Sequence, residues 1–237
     1  MRTANEYEIA IFKKEYCKNG EARISIGKDF EVDVESFEEL LPEKIVSSYA
    51  TGNRDIENSF IMFRVCDVIK DIQYFPVFSE TVGRKMLKSW NKPVPKKQSI
   101  FIEDNNGVGR GNGGTGNGNK NNVENSKLRS LILFARSLMI LHIDDPQPMN
   151  GMLKELYEKL ELHPYWNVRN YEVKAVNTAI GSFLRKDINV QNENFQNLQD
   201  YILYLQTNVT GRRLRNTNFD KLRNIMGTEY PAEQVYF

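Results

Sequence analysis

One low-complexity tract divides this chain into two parts with different patterns. Residues 105–122 include seven glycines and seven asparagines in eighteen positions. A tract of this composition is typical of a surface loop that is flexible or is ordered by a ligand. We therefore predict an N-terminal α+β region at 1–104, a Gly/Asn-rich loop at 105–122 and a C-terminal helical region at 123–237, either separate or as one continuous domain.

The N-terminal region is predicted to form a small, mostly antiparallel sheet with helices. Strands are indicated at 7–12 and 22–26, with Asn19 and Gly20 as a hairpin turn between them. A further strand is predicted where Phe30, Val32 and Val34 alternate with acidic residues.

Helices are predicted in the remainder of this region. Ser36 and Glu39 have the spacing of a capping box, which predicts that a helix begins there. The apolar spacing at 59–72 favours a buried helix, although its first half alone is also compatible with a strand. Ser79 is expected to cap a helix, and 99–103 is predicted to be the last strand.

Beyond the tract, apolar residues recur at helical spacing. They predict helices at 126–142, 152–160, 168–183, 195–209 and 222–226. Gly227 is expected to end the last of these helices. The predicted fold class is therefore α+β, with a small N-terminal sheet followed by a helical C-terminal half.

Charge is unevenly placed, although the formal net charge is only +1. Seven acidic residues lie within 29–43, and six basic residues without an acidic one lie within 84–97. We call the latter the first basic cluster (Arg84, Lys85, Lys88, Lys92, Lys96 and Lys97). Further basic residues accumulate near the C-terminus, interrupted only by Asp220: Arg212, Arg213, Arg215, Lys221 and Arg223. We call the first three of these, which are the candidates for binding phosphate, the second basic cluster. Such clusters bind the phosphates of nucleic acid, or else keep a face solvated or pair with the acidic run of another copy.

The basic clusters and the Gly/Asn-rich loop are the candidate nucleic-acid contacts. Glycine leaves main-chain amides open to donate to phosphate, and Trp90 could stack on a base, although its place on an apolar stripe favours the core. The predicted contact residues are Arg84, Lys85, Lys88, Lys96, Lys97, Arg110, Lys120, Arg212, Arg213 and Arg215.

A short motif resembles that of the PD-(D/E)xK nucleases. Glu172 and Lys174 have the E-x-K spacing, and Asp144 and Asp145 upstream are candidate metal-binding acids. The resemblance implies carboxylates on a metal ion and a lysine on the attacking water. In that family the motif lies on a strand, whereas here it follows a helical pattern.

A second motif resembles that of the HEPN ribonucleases. Arg136 and His142 are separated by five residues, within the R-x(4–6)-H spacing of that family. The resemblance covers seven residues and implies RNA cleavage by this pair. The structural alternative is that both groups stabilise the end of a core helix.

No metal site or cofactor is expected. Two scattered cysteines and two histidines do not provide the usual zinc spacing. The acidic strand at 29–35 is compatible with a divalent cation or, as the alternative, with an edge strand whose charges block strand addition.

The expected function is that of a non-enzymatic nucleic-acid-binding or assembly subunit of an intracellular nucleoprotein complex. Its expected partners are nucleic acid and proteins, or a second copy, and the aromatic tail at 229–237 either binds a partner groove or folds onto its own core. The alternatives are a metal-dependent nuclease or HEPN-like RNase, and a purely structural protein–protein interaction subunit. Without a signal peptide or a membrane span, a cytoplasmic protein is expected.

Overall fold

The computed structural model describes residues 1–50, 55–102, 120–141, 145–149, 151–186, 195–209, 211–227, 230–231 and 234–237. The chain divides into two compact units. The first unit comprises Met1–Ser99 and Ile143–Pro148, and the second comprises Ile100–His142 and Met149–Phe237. Five strands form one sheet in the N-terminal half and the C-terminal half is helical, so the α+β prediction is confirmed.

Two helices open the first unit where two strands were predicted. They are α1 (Glu6–Tyr16) and α2 (Gly20–Asp29). Asn5 forms a capping box at the start of α1, and the Asn19 side chain accepts a hydrogen bond of 2.8 Å from the main-chain N–H of Ala22. The strands predicted at 7–12 and 22–26 are wrong because Asn19 acts as a helix N-cap and not as a hairpin residue.

The sheet is mixed and mostly antiparallel, as predicted. Its strands are β1 (Arg2–Thr3), β2 (Glu31–Glu39), β3 (Ser59–Asp67), β4 (Ile72–Tyr74) and β5 (Val77–Ser79). Strand β3 is central: β2 pairs antiparallel along one side, while β4 and β5 pair antiparallel along the other. The short β1 adds to β4 in parallel orientation.

Two helices predicted from the sequence are strands in the structure. Strand β2 contains the predicted alternation but continues through Ser36 to Glu39, across an irregularity in register after Val34. The helix favoured at 59–72 is also wrong, since these residues form β3 and the start of β4. Successive side chains at 59–63 are all buried. A strand covered on both faces gives a continuous apolar run that periodicity cannot distinguish from a buried helix.

Helix α3 (Glu80–Ser89) begins after Ser79, as predicted. Trp90 follows it and donates a hydrogen bond of 2.9 Å from Nε1 to the main-chain oxygen of Ile24. Its indole lies so close to Gly27 that a Cβ there would be 2.5 Å from Nε1. The Trp90 ring is therefore fixed by its contacts with α2, and it stays half-buried in the lining of a cleft of about 530 Å³.

Helices predominate among the described residues of the second unit, close to the predicted positions. They are α4 (Lys120–Leu141), α5 (Gly151–Leu162), α6 (Asn170–Lys186), α7 (Leu198–Asn208) and α8 (Asp220–Met226). Gly227 ends α8 at φ 92°, a conformation that glycine adopts without strain. Of the strand predicted at 99–103, the described residues 99–102 form one isolated bridge, between Phe101 and Leu214. No helix in the described ranges is both long and apolar enough to cross a membrane.

Candidate functional site

Two cations of the first basic cluster converge on one carboxylate. Arg84 Nε donates to Glu80 Oε1 at 2.8 Å, and Lys97 Nζ lies 3.2 Å from Glu80 Oε2, which also accepts from Ser59 Oγ at 2.5 Å. Both cations lie over the ring of Phe37, at 5.2 and 5.3 Å from its centroid. Burial opposes ionisation of Glu80, but these hydrogen bonds outweigh it and hold the pKa of Glu80 below its ordinary value.

The cleft beside Arg84 is acidic. It has a volume of about 640 Å³, and its charged lining residues are Asp55, Glu57, Glu80 and Arg84. Three carboxylates against one guanidinium disfavour a phosphate at this position. The first basic cluster therefore does not form a phosphate-binding cleft here.

The extended segment that carries the remaining lysines of this cluster follows β2. Lys92 donates from Nζ to the main-chain oxygen of Val32, and Gln98 forms a parallel bridge with Glu38. In both places the partner lies sixty residues earlier, so 92–98 runs parallel to β2. This arrangement places the basic segment beside the acidic strand of the same chain, and the two reduce each other's field.

The other predicted contacts outside the second cluster are dispersed. Lys85 and Lys88 are exposed on α3, and Lys96 is exposed on the segment along β2. Lys120 is the first residue of α4, where only the main chain is described, and Arg110 lies outside the described residues.

The second basic cluster lies on a segment that is fixed by main-chain hydrogen bonds. The N–H of Ile102 donates to the oxygen of Arg213, and the N–H of Arg215 donates to the oxygen of Ile100, both at 2.8 Å. Next to these bonds, Arg212 stacks its guanidinium on the buried ring of Phe101, with Cζ 3.9 Å from the centroid. The side chains of Arg212 and Arg213 are exposed, so the anchoring leaves their charge at the surface.

Positive charge near Arg215 continues towards α4 and α5. Burial raises the pKa of Tyr157 on α5, and the charges of Arg129 and Arg215 oppose that rise. Arg129 lies over the Tyr157 ring at 5.5 Å and pairs with Glu161 at 2.6 Å. The charge of Arg215 is therefore close enough to α5 to act on the hydroxyl of Tyr157.

Glu172, the central residue of the nuclease motif, is an internal hydrogen-bond acceptor. Its side chain is 3% exposed and accepts from Lys159 Nζ at 2.7 Å, from Trp166 Nε1 at 3.1 Å and from the main-chain N–H of Arg169 at 2.8 Å. Burial opposes its ionisation, but these bonds outweigh burial and lower the pKa of Glu172. The carboxylate is therefore engaged in holding the connection between α5 and α6.

The other residues of that motif have separate surroundings. Lys174 lies on α6 with its Nζ 5.7 Å from the centroid of Tyr230, whereas Asp145 belongs to the first unit. Burial raises the pKa of Asp145, with Lys13 opposing the rise. Asp144 lies outside the described residues. Within the described part of the chain, no group of three His, Cys, Asp or Glu side chains could hold a metal ion.

Arg136 of the HEPN-like motif lies inside the helical packing. It is 4% exposed on α4, and the neighbouring Ser137 Oγ lies 2.7 Å from the hydroxyl of the buried Tyr201. His142 lies outside the described residues. An arginine with so little exposed surface supports packing of the helix and is not presented to a substrate phosphate.

The aromatic tail folds back onto the second unit. Asn177 of α6 donates from Nδ2 to the oxygen of Gln234 and accepts from the N–H of Tyr236, both at 2.8 Å. Arg223 donates from Nε to the main-chain oxygen of Phe237 at 2.8 Å, and the Phe237 ring is buried. Of the two roles predicted for the tail, its described residues therefore show packing onto the core of the same chain.

The α5–α6 connection is a polar and aromatic feature that sequence reasoning missed. Trp166 there lies between two cations, with Lys159 Nζ 3.6 Å and Arg169 Cζ 5.3 Å from the centroid of its ring. The available signal was the interleaving of His163, Tyr165, Trp166, Arg169 and Tyr171 between two helices. Comparisons of the chain with protein-family models, curated proteins and solved structures gave no match.

Proposed function

We propose that the protein is a non-enzymatic nucleic-acid-binding subunit that contacts the phosphodiester backbone through the second basic cluster. The observation that supports this is the anchoring of 213–215 to 100–102, which presents the exposed guanidinium groups of Arg212 and Arg213 on a rigid segment. A guanidinium donates through a planar fork that matches phosphate oxygens. Because phosphate contacts carry no base information, this surface binds without regard to sequence.

Preorganisation adds to this argument. Arg212 is stacked on Phe101, and the main chain of Arg213 is hydrogen-bonded, so these two arginines lose less conformational entropy when a phosphate binds. In the first basic cluster, Arg84 and Lys97 are engaged with the carboxylate of Glu80, and Lys92 is engaged with the main-chain oxygen of Val32. Glu172 and Arg136 are both buried within the second unit, so neither side chain supports the alternative of a nuclease.

The test is a titration of a fluorescently labelled oligonucleotide followed by anisotropy at several salt concentrations. We expect Arg212→Ala combined with Arg213→Ala to weaken binding at least roughly tenfold, since a hydrogen bond to a charged group contributes about 1.5–3 kcal/mol. The slope of log K against log salt should become less steep by about 0.7 for each phosphate of a single strand that the variant no longer neutralises.

The matched control is Lys85→Ala combined with Lys88→Ala, which removes two exposed charges from the first basic cluster. We expect this variant to bind nearly as tightly as the wild-type chain. Equal losses in the two double variants would mean that net charge and not this surface supports binding. Absence of salt-dependent binding by the wild-type chain would reject the proposal and favour a protein–protein interaction subunit.

A further inference from the structure

The connection between α5 and α6 is built around the buried carboxylate of Glu172. Besides the three donors already described, the N–H of Trp166 donates to the oxygen of His163 at 2.9 Å and closes a turn within the connection. Asn125 of α4 donates from Nδ2 to the same oxygen, also at 2.9 Å. We call residues 162–171 the α5–α6 corner. Its main chain is held from α4, α5 and α6, so it is a rigid platform.

Large apolar and aromatic side chains project from this rigid platform. Leu162 is 76% exposed, Tyr165 is 67% exposed and Tyr171 is 57% exposed. Single exposed apolar residues are common, but three in ten positions on one well-fixed connection are typical of a contact surface. Tyrosine is suited to such a role because it presents a large ring while losing little side-chain entropy.

The charge of the corner helps to decide between nucleic acid and an apolar protein surface as its partner. Arg169 is exposed beside the Trp166 ring, and Lys159, on the same ring, is paired with Glu172. Exposed aromatic rings interspersed with cations fit single-stranded nucleic acid, whose bases stack while its phosphates pair with the cations. A purely apolar groove on a partner protein would offer no group to pair with the charge of Arg169.

The corner also adjoins the element that supports the second basic cluster. Asn125 of α4 binds the corner, and Lys127, two residues further along the same helix, donates from Nζ to the oxygen of Asn218 at 2.6 Å. Asn218 follows Arg215 by three residues. The corner and the segment that follows the second basic cluster are thus both hydrogen-bonded to the N-terminal half of α4.

We propose that the α5–α6 corner is a base-stacking site for single-stranded nucleic acid, with the ring of Tyr165 stacking on an unpaired base. This inference rests on the proposed function, because the second basic cluster holds the phosphates of the same strand. It specifies the ligand: in a duplex the base faces are covered by neighbouring bases, so only a single strand uses Tyr165.

The experiment compares a labelled oligothymidine strand with a duplex of the same length on the full chain. Tyr165→Ala should weaken binding of the single strand about 5-fold or more, since one base–aromatic stack contributes about 1–3 kcal/mol. Binding of the duplex should stay unchanged, and so should the salt slope, because a stack involves no counterion. Tyr165→Phe should retain the affinity, since the ring and not the hydroxyl stacks.

The matched control is Tyr7→Ala on α1, which removes a tyrosine that is 74% exposed in the first unit and should leave both affinities unchanged. Retention of single-strand affinity in Tyr165→Ala, or an equal loss on the duplex, would overturn the stacking site. If that happens while the Arg212 and Arg213 double variant still weakens binding, the proposed function survives without it. If Tyr165→Ala weakens single-strand binding as expected but the Arg212 and Arg213 double variant has no effect, the corner binds single strands and the phosphate surface lies elsewhere.

Discussion

Arg84 and Lys97 in the first basic cluster share the carboxylate of Glu80, whereas the segment of the second is held by main-chain hydrogen bonds of Arg213 and Arg215. Each cluster places an arginine over a buried phenylalanine ring, Phe37 in one case and Phe101 in the other. The aromatic support is thus similar, but in the first cluster Arg84 and Lys97 hold Glu80 through their charge, whereas main-chain groups hold the segment of the second.

This difference shows that the number of basic residues in a run does not measure the charge available to a ligand. The first basic cluster is larger, but its segment lies along an acidic strand and its cleft is lined by carboxylates. The second is smaller, and main-chain groups, which carry no net charge, hold its segment to 100–102 while Arg212 and Arg213 are exposed.

The largest expected effect comes from the two phenylalanine rings. Phe37→Ala and Phe101→Ala should each lower the free energy of unfolding by about 3–5 kcal/mol, because each removes a buried aromatic side chain. Urea unfolding followed by circular dichroism measures this decrease in each variant.

Leucine at the same two positions sharpens the comparison, since it preserves most of the buried volume and removes the ring. Phe101→Leu should weaken oligonucleotide binding about 2- to 5-fold, as expected for an exposed cation–π contact of about 0.5–1 kcal/mol. Phe37→Leu should bind like the wild-type chain. Weaker binding in Phe37→Leu alone would reverse the roles that we assign to the two clusters.

The next effect concerns Glu80 and depends on pH. Glu80→Gln should lower the free energy of unfolding at neutral pH by about 1.5–3 kcal/mol, because two cations lose their carboxylate. The pKa of Glu80 is lower in the native state than in the unfolded chain. Its contribution is therefore present above the ordinary pKa of about 4.3 and is lost as the pH falls through the lowered native value.

Urea midpoints at neutral and at strongly acidic pH measure this contribution. The gap between wild-type and Glu80→Gln should close in acid, and oligonucleotide binding at neutral pH should not weaken. The control is Glu57→Gln, an exposed carboxylate of the same cleft, with a change within about 0.5 kcal/mol. Equal stability of wild-type and Glu80→Gln at neutral pH would show that the first basic cluster is not structural.

The smallest effect is expected at Lys92. Lys92→Met removes the ammonium from the Val32 carbonyl and should cost about 0.5–1.5 kcal/mol of stability without changing oligonucleotide affinity. Lys85→Met on the exposed face of α3 serves as its counterpart and should change stability by less than about 0.5 kcal/mol. Reduced affinity in Lys92→Met, with stability unchanged, would move this lysine from the structural group to the binding group.

Sequence reasoning succeeded where structure depends on local pattern. The helices of the second unit follow the predicted apolar periodicity, and Gly227 ends a helix through its local backbone conformation. Ser79 precedes α3 as predicted, but its side chain makes no capping hydrogen bond. It failed for β3, because a strand buried on both faces has no alternation, and for Asn19, because an asparagine suits both a turn and a helix N-cap.

The candidate site was only partly accessible from sequence. The second basic cluster was recognised as a run of arginines, but the pairing of its segment with 100–102 joins residues more than a hundred positions apart. The α5–α6 corner was not predicted, because the sequence does not show that the buried Glu172 holds this connection in place. That glutamate was instead assigned to a nuclease motif on spacing alone.

The amino-acid sequence by itself determined the α+β class, the helical order of the second unit and the places where charge accumulates, because periodicity and composition are properties of neighbouring residues. Only the tertiary structure decided which charges are available. Lys92 donates to the main-chain oxygen of Val32 and Arg212 stacks on Phe101, and in both cases the two residues are far apart along the chain. Electrostatic interaction depends on distance in space and on burial, and neither can be read from distance along the chain.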